Sequence, residues 1–157
     1  MNKHLKILIL GIALLFVFHI VNAKNDKDTN FAVIADKKVS LTVANTLETR
    51  SRGLMFVDNL PETEGMLFVF PDIDYRTFWM KNMKIPLDIL FLRNNKIITI
   101  YENVPPCVDD PCPYYESKEK SDKVIELKSG FCEKYGVKPG RSISFTGKNT
   151  THGSGVE

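Results

Sequence analysis

The stretch FWMKNMKIPLDILFLRNNKIITIYE, residues 78–102, decides the fold. Its second half holds two runs rich in β-branched and aromatic residues, Leu87–Arg93 and Lys96–Glu102, divided by Asn94 and Asn95. Asparagine tolerates the positive φ that a two-residue hairpin turn demands, so the spacing predicts an antiparallel hairpin. Pro86 suits a strand start, which puts a corner at Asn82–Ile85 and ends the preceding strand near Lys81. Asp88 stands in the hairpin among Leu87, Ile89 and Leu90. An unpaired carboxylate is costly to bury, so Asp88 must reach water or own a partner. Beside the corner it can accept hydrogen bonds from turn amides or meet Arg52, a structural clamp first and a catalytic candidate second.

Outward from this hairpin the chain keeps one pattern, short apolar runs divided by Gly, Pro, Asn and Asp. Strands are expected at Phe31–Ala35, Lys38–Ala44, Gly65–Phe70, Thr77–Lys81, Lys123–Leu127 and Ser142–Thr146, with Pro71 and Asp72 terminating the third. Asn45 with Glu48 reads as the capping box of a two-turn helix that Gly53 stops. Ser129 reads as the cap of a second short helix through Tyr135, stopped by Gly136. About eight strands and two short helices suit a mainly β domain over residues 31–146, a β-sandwich or distorted barrel.

The ends read differently. Lys3 and Lys6 precede an apolar run from Ile7 to Val21, and small residues end at Ala23. This is the pattern of a cleaved secretory signal peptide over residues 1–23. The run contains Gly11 and His19 and falls short of the roughly 20 residues of a spanning helix, so no stable membrane anchor is expected after cleavage. The reading implies an exported protein, periplasmic or secreted. Residues 24–30 form a charged, apolar-poor lead-in and residues 147–157 a matching tail, both expected to be disordered. The whole chain carries 21 Lys and Arg against 19 Asp and Glu, and loss of Lys3 and Lys6 balances the two. Such a chain has no electrostatic footprint for nucleic acid.

Histidine usage excludes most familiar chemistry. His4 and His19 lie in the signal peptide and His152 in the tail, which argues against a histidine base and against a histidine-ligated zinc. Cys107 and Cys112, in PPCVDDPCPYY, are read first as a structural disulfide in an oxidising compartment. A redox or metal pair aided by Asp109 and Asp110 is the sharper alternative, although no Cys-x-x-Cys spacing supports it. Cys132 reads as a buried small hydrophobe. Met55, Met66, Met80 and Met83 raise a Cu(I) site, with Met80 and Met83 as its nearest pair, against the ordinary use of methionine to fill irregular cores. Glu126, in KVIELKSG, repeats the situation of Asp88. The two acids are weak candidates for an acid–base pair with Arg52 as electrophile, and equally for a buried ion-pair cluster.

The succession SRGLMF (51–56), EGMLFVF (64–70), FWMKNMKIPLDILF (78–91), PPCVDDPCPYY (105–115), VIELKSG (124–130) and GVKPG (136–140) resembles the bacterial and archaeal proteins grouped as domain of unknown function 192. The resemblance implies a compact, mainly β, often exported domain with no assigned reaction, substrate or cofactor. Its pattern falls on Arg52, Gly53, Leu54, Met55, Gly65, Met66, Trp79, Met80, Asn82, Pro86, Leu87, Asp88, Cys107, Cys112, Tyr115, Glu126 and Gly130. Met83 stands where the family is threonine-like and Arg141 where an acid is common. Arg52, Lys81, Asn82, Asp88, Tyr115 and Glu126, with Trp79 as an apolar platform, resemble a pocket for a small polar or sugar-like ligand. The leading expectation is a non-enzymatic binding or interaction module centred on Trp79, Arg52 and Asp88, whose partner is such a ligand or an envelope protein. No metal or cofactor is implied. An envelope-glycan hydrolase or lyase using Asp88 and Glu126, or a methionine Cu(I) protein, are the alternatives.

Overall fold

A computed structural model describes residues 30–147. The signal-peptide, lead-in and tail readings at 1–29 and 148–157 lie outside them, whereas Asn30, expected in the disordered lead-in, is buried as the first residue of a strand. Strand β1 (Asn30–Ile34) turns through Ala35 and Asp36, both at positive φ, into β2 (Lys37–Ala44). Helix α1 (Leu47–Arg52) then carries the chain across to β3 (Glu64–Asp74), which pairs parallel with β2. A short β4 (Thr77–Trp79) precedes the hairpin of β5 (Leu87–Arg93) and β6 (Lys96–Val104). Strands β7 (Tyr114–Glu116) and β8 (Ser121–Lys128), helix α2 (Phe131–Tyr135) and β9 (Ser144–Thr146) complete the chain.

Seven strands form one sheet in the order β6-β5-β8-β3-β2-β1-β9, while β4 and β7 pair as a separate ribbon. The large sheet curls into a half-barrel. Its outer strand β6 is tied back towards β9 by Ile97 N–H to the Arg141 carbonyl (2.9 Å) and Ile143 N–H to the Asn95 carbonyl (2.8 Å). The mainly β, distorted-barrel expectation therefore holds, with nine strands among the described residues in place of about eight.

Local differences from the sequence reading have plain causes. The first helix is capped by Thr46, not Asn45: Thr46 Oγ1 accepts from the Thr49 amide (3.1 Å), and Thr49 Oγ1 accepts in return from Thr46 N–H (3.0 Å). A threonine at the third helical position does the work expected of Glu48. Strand β3 runs past Pro71, because pairing with β8 lapses between Val69 and Asp74 and a residue without an N–H costs no ladder bond there. The Asn94–Asn95 turn is as expected, at φ 50° and 62°.

Side-chain parity divides the interior in two. Leu41, Leu67, Leu90, Leu92, Ile125 and Leu127 pack inside the curl with Phe131 and Cys132 of α2. Phe68, Leu87, Ile89, Phe91 and Val124 form an outer layer, covered by Leu54, Leu60 and Met80. Six consecutive residues of β5, Leu87–Leu92, are buried, so this strand is wrapped on both faces. At Gly65 a Cβ would lie 2.6 Å from the Glu126 carbonyl oxygen, so only glycine permits β3 and β8 this approach.

Asp88 faces the inner layer, opposite Leu127, and is fully buried. Its Oδ1 accepts from the amides of Asn103 (2.8 Å) and Gly130 (3.2 Å), and its Oδ2 from that of Cys132 (2.8 Å). Helix α2 has no cap from its own chain end, since Gly130 takes the cap position at φ 82° where Ser129 was expected to serve. Asp88 supplies that cap from a different strand, which satisfies orphan amides and places negative charge at the helix start. Asp88→Asn puts an amide donor where backbone donors converge. It is expected to cost about 3 kcal/mol of unfolding free energy in urea titration, and a loss under about 0.5 kcal/mol would contradict the clamp.

Candidate functional site

Glu126 sits one residue out of phase with Asp88. It pairs opposite Ile89 on β5 and Met66 on β3, so it faces the outer layer. There α1 and the Gly53–Leu54 turn stand on one side, and β4 with the corner after it on the other. Between them runs a groove of about 450 Å³ lined by Leu47 and Arg50 of α1, Phe68 and Phe70 of β3, and Tyr75, Arg76, Phe78 and Trp79. A niche of about 40 Å³ continues it inward past Arg52, Gly53 and Met83 to Glu126. Arg50, Ser51, Phe68, Phe78 and Trp79 line both, which makes the two one continuous site.

The base of this site is a buried acid without a hydrogen-bond partner among the described residues. Glu126 is 5% exposed, and its Oε2 is sealed from solvent with no hydrogen bond. Burial pushes its pKa up from 4.5 to about 8, so the carboxyl is mostly neutral at pH 7. Gly53 closes over it at φ 50° and ψ −138°. A Cβ there would stand 3.3 Å from the Phe68 ring and 3.9 Å from Glu126 Oε2, so glycine both allows the backbone angle and keeps the space beside the acid open.

The rim is cationic and aromatic. Arg50 Nη1 donates to the carbonyls of Asn45 (2.6 Å) and Val69 (3.0 Å), which fixes its guanidinium 5.2 Å from the Phe70 ring. Arg76 lies 4.0 Å from the same ring and donates to the carbonyl and the carboxylate of Asp72, 2.6 Å each. The Arg52 side chain makes no hydrogen bond or ion pair among the described residues, while its carbonyl accepts from Met55 N–H (3.1 Å). Trp79 is 42% exposed and stacks on Tyr114 with centroids 6.3 Å apart and planes 10° apart.

The structure thus brings Arg52, Trp79 and Glu126 together and leaves Asp88 out. The expected centre on Trp79, Arg52 and Asp88 is corrected on that point, because alternation along β5 and β8 turns Asp88 to the opposite face of the sheet. For the same reason Asp88 and Glu126 share no cleft in which to act as acid and base. Lys81 braces the wall, its Nζ 2.9 and 3.1 Å from the two Asp110 carboxylate oxygens and 5.7 Å from the Trp79 ring centre. Asn82, at φ 60°, accepts from Phe56 N–H through its carbonyl (3.0 Å), holding the corner against the segment after α1. Tyr115 packs edge-on to Tyr101 in the outer layer and does not line the groove. Sequence reasoning missed Phe70, Arg76 and Phe78. The alternation of Phe68 and Phe70 on one strand face, with Arg76 shortly after, was the available signal.

The disulfide is formed between Cys107 and Cys112. The Asp110 carboxylate lies within 4.8 Å of both sulfurs, and the Asp109 carbonyl oxygen 3.3 Å from Cys107 Sγ. Cys132 is buried, and burial with the Asp88 carboxylate nearby pushes its thiol pKa up, away from nucleophilic use. Met80 is in the outer core, with Met66 and Met83 packed against it, while Met55 Sδ lies 3.9 Å from the Asn82 side-chain amide.

Residues 30–145 match the family of uncharacterized ACR proteins known as DUF192. The chain belongs to this family. The DUF192 domain is also similar to a crystal structure of a candidate transcription regulator from Sinorhizobium meliloti 1021, at 30% identity and a TM-score of 0.66. That match covers 75% of this chain and 91% of the other. A protein of unknown function from Novosphingobium aromaticivorans DSM 12444 matches at 28% identity and a TM-score of 0.67, over 74% and 83% of the two chains. No curated protein matches.

Two measurements check the site and its wall. A carboxyl with a raised folded-state pKa gives up its proton more readily in the unfolded chain. Its penalty is therefore absent below about pH 4.5, grows as the pH rises through that value, and is complete above about pH 8. Full ionisation costs on the order of 5 kcal/mol. Urea unfolding between about pH 5 and about pH 8 should show wild-type stability falling, and Glu126→Gln should remove most of that slope. Alkylation of the denatured, unreduced domain should label one cysteine, Cys132, and reduction should raise the count to three; three labels without reductant would exclude the disulfide. Its loss is expected to cost about 2 kcal/mol in the chain-entropy model.

Proposed function

We propose that this DUF192 domain is an exported binding module for a small molecule, without catalytic activity, and that its site is the groove between α1 and β4. The observation that carries the reading is Glu126. A carboxyl 5% exposed with an unpartnered oxygen is a polar cost that a purely structural side chain would not retain, and it lies at the end of an open groove. An apolar floor with a few convergent polar groups is the usual make-up of small-ligand sites, and 450 Å³ falls within their range. Phe78 and Trp79 supply flat apolar surface, while Arg52 and Glu126 supply orientation.

Export is supported by the charged start, apolar run and small residues over 1–23, and the disulfide fits an oxidising compartment. The regulator description of the Sinorhizobium relative is not carried over. The near balance of 21 basic and 19 acidic residues argues against the strong net positive charge that duplex DNA favours.

Trp79 is the chain's only tryptophan, so its emission reports on the groove alone. A thermal-shift screen of sugars, amino acids and small organic acids should yield a ligand that raises Tm and alters Trp79 emission. At about 100 times its Kd such a ligand adds about 2.7 kcal/mol. Trp79 is half-exposed, so Trp79→Ala should fold and lose the shift. A ligand that stabilises Trp79→Ala as strongly as wild type binds elsewhere and defeats the proposal.

A further inference from the structure

Resting on the groove reading above, we infer that the niche selects ligands headed by a carboxylate, captured between the Arg52 and Glu126 side chains. Size comes first. A niche of about 40 Å³ admits one small planar head group and not a ring, while the adjoining 450 Å³ takes the body of the molecule. Lining the niche are Arg52, whose side chain has no hydrogen bond or ion pair among the described residues, and the buried Glu126 carboxyl, whose Oε2 has none there either. A carboxylate complements both, because it accepts a forked pair of N–H bonds from arginine and the O–H bond of a neutral acid.

Charge excludes the alternatives. Among the described residues Glu126 is the only acid lining niche or groove, whereas Arg50 and Arg52 both line the niche, so a cationic head would meet two like charges. A neutral hydroxyl would satisfy Glu126 and leave Arg52 unused. The charged residues that line the niche with Glu126 are Arg50 and Arg52 from α1. Its neighbours on β3 and β5, Met66 and Ile89, and those from β4 and the corner, Phe78, Trp79 and Met83, are uncharged. With Glu126 ionised the ligand would face a buried negative charge, so each bound carboxylate keeps one proton on Glu126 and no bond is made or broken. Two carboxyl groups sharing a proton is the arrangement that like charges at close range enforce. Affinity then declines about tenfold per pH unit once the pH exceeds the titration of Glu126. The body of the ligand is flat or apolar, to lie on Phe78 and Trp79.

The test titrates Trp79 emission of the full chain with phenylacetate and with glucuronate, each beside its own amide, at pH 6 and pH 9. At least one acid is expected to bind tenfold or more tightly than its amide at pH 6 and to lose tenfold or more by pH 9. Glu126→Gln retains a donor, so it should keep the preference at pH 6 and show no fall at pH 9, which a merely structural Glu126 would not produce. Arg52 is exposed, and Arg52→Gln should fold and lose the preference. Amides that bind as tightly as acids, or an unchanged pH dependence in Glu126→Gln, would overturn the carboxylate assignment and leave the groove reading standing. Failure of both members of both pairs to perturb Trp79 would count against the groove itself.

Discussion

The structure depends on a carboxylate placed in the middle of a strand that is wrapped on both sides. Asp88 is tolerated there because three backbone amides converge on it, one from the end of β6 and two from the start of α2. Those amides are otherwise orphaned: Gly130 and Cys132 lie at the uncapped start of a five-residue helix too short to stand alone. One side chain thus joins a sheet edge, a central strand and the plug of the inner core. Because hydrogen bonds to a charge outweigh neutral ones, it also fixes which face of β5 turns inward. With Asp88 inward, Leu90 and Leu92 follow it and Ile89 and Phe91 face out. A one-residue slip would reverse every side chain on the strand.

That parity determines where Glu126 must go. Antiparallel pairing sets Asp88 against Leu127 and Ile89 against Glu126, so satisfying one acid inside the curl commits the other to the outer layer. The two acids occupy similar sequence settings, each flanked by large aliphatics on a buried strand, and meet opposite fates. Asp88 has a full set of donors. Glu126 has an aromatic floor, a glycine over it, and an unpartnered oxygen. Local rules are generally broken where a site is built, and the break here lies at the closed end of an open groove.

Much of the fold was legible because turn chemistry is local. Asn94–Asn95, Gly136 and the apolar run of β5 each announce themselves within a few residues, and the hairpin came out with its turn in place. Parity was not legible. Alternation reports facing only when one face is wet, and Leu87–Leu92 and Ser121–Leu127 are buried on both, so nothing in LDILFL or SDKVIEL says which acid points where. Hence Arg52, Trp79 and Glu126, grouped through family resemblance, line one niche, while Asp88, grouped with them, faces the other side of the sheet. Strand β7 escaped notice because three residues, Tyr114–Glu116, carry too little period to read, and the cap at Thr46 because several polar residues in a row can each serve.

The wall that carries Trp79 raises a separate physical question, since two three-residue strands bury too little to hold themselves. Short-range ties replace a core. The Cys107–Cys112 disulfide closes the loop before β7, and the Cys107 amide donates to the Met80 carbonyl (3.0 Å) directly after β4. Lys81 reaches Asp110 inside the same loop, and Tyr114 stacks on Trp79 across the ribbon. The ion pair is exposed and contributes little by itself. Its value lies in acting with the disulfide on one loop, where each tie reduces the freedom the next must remove. Phe78, between Trp79 and Thr77, then anchors the ribbon inward through edge contacts to Phe68 and Phe91 at 5.0 and 5.6 Å. The groove therefore has α1 on one side, the sheet as its floor and a covalently restrained ribbon on the other side, so its shape is set by the fold.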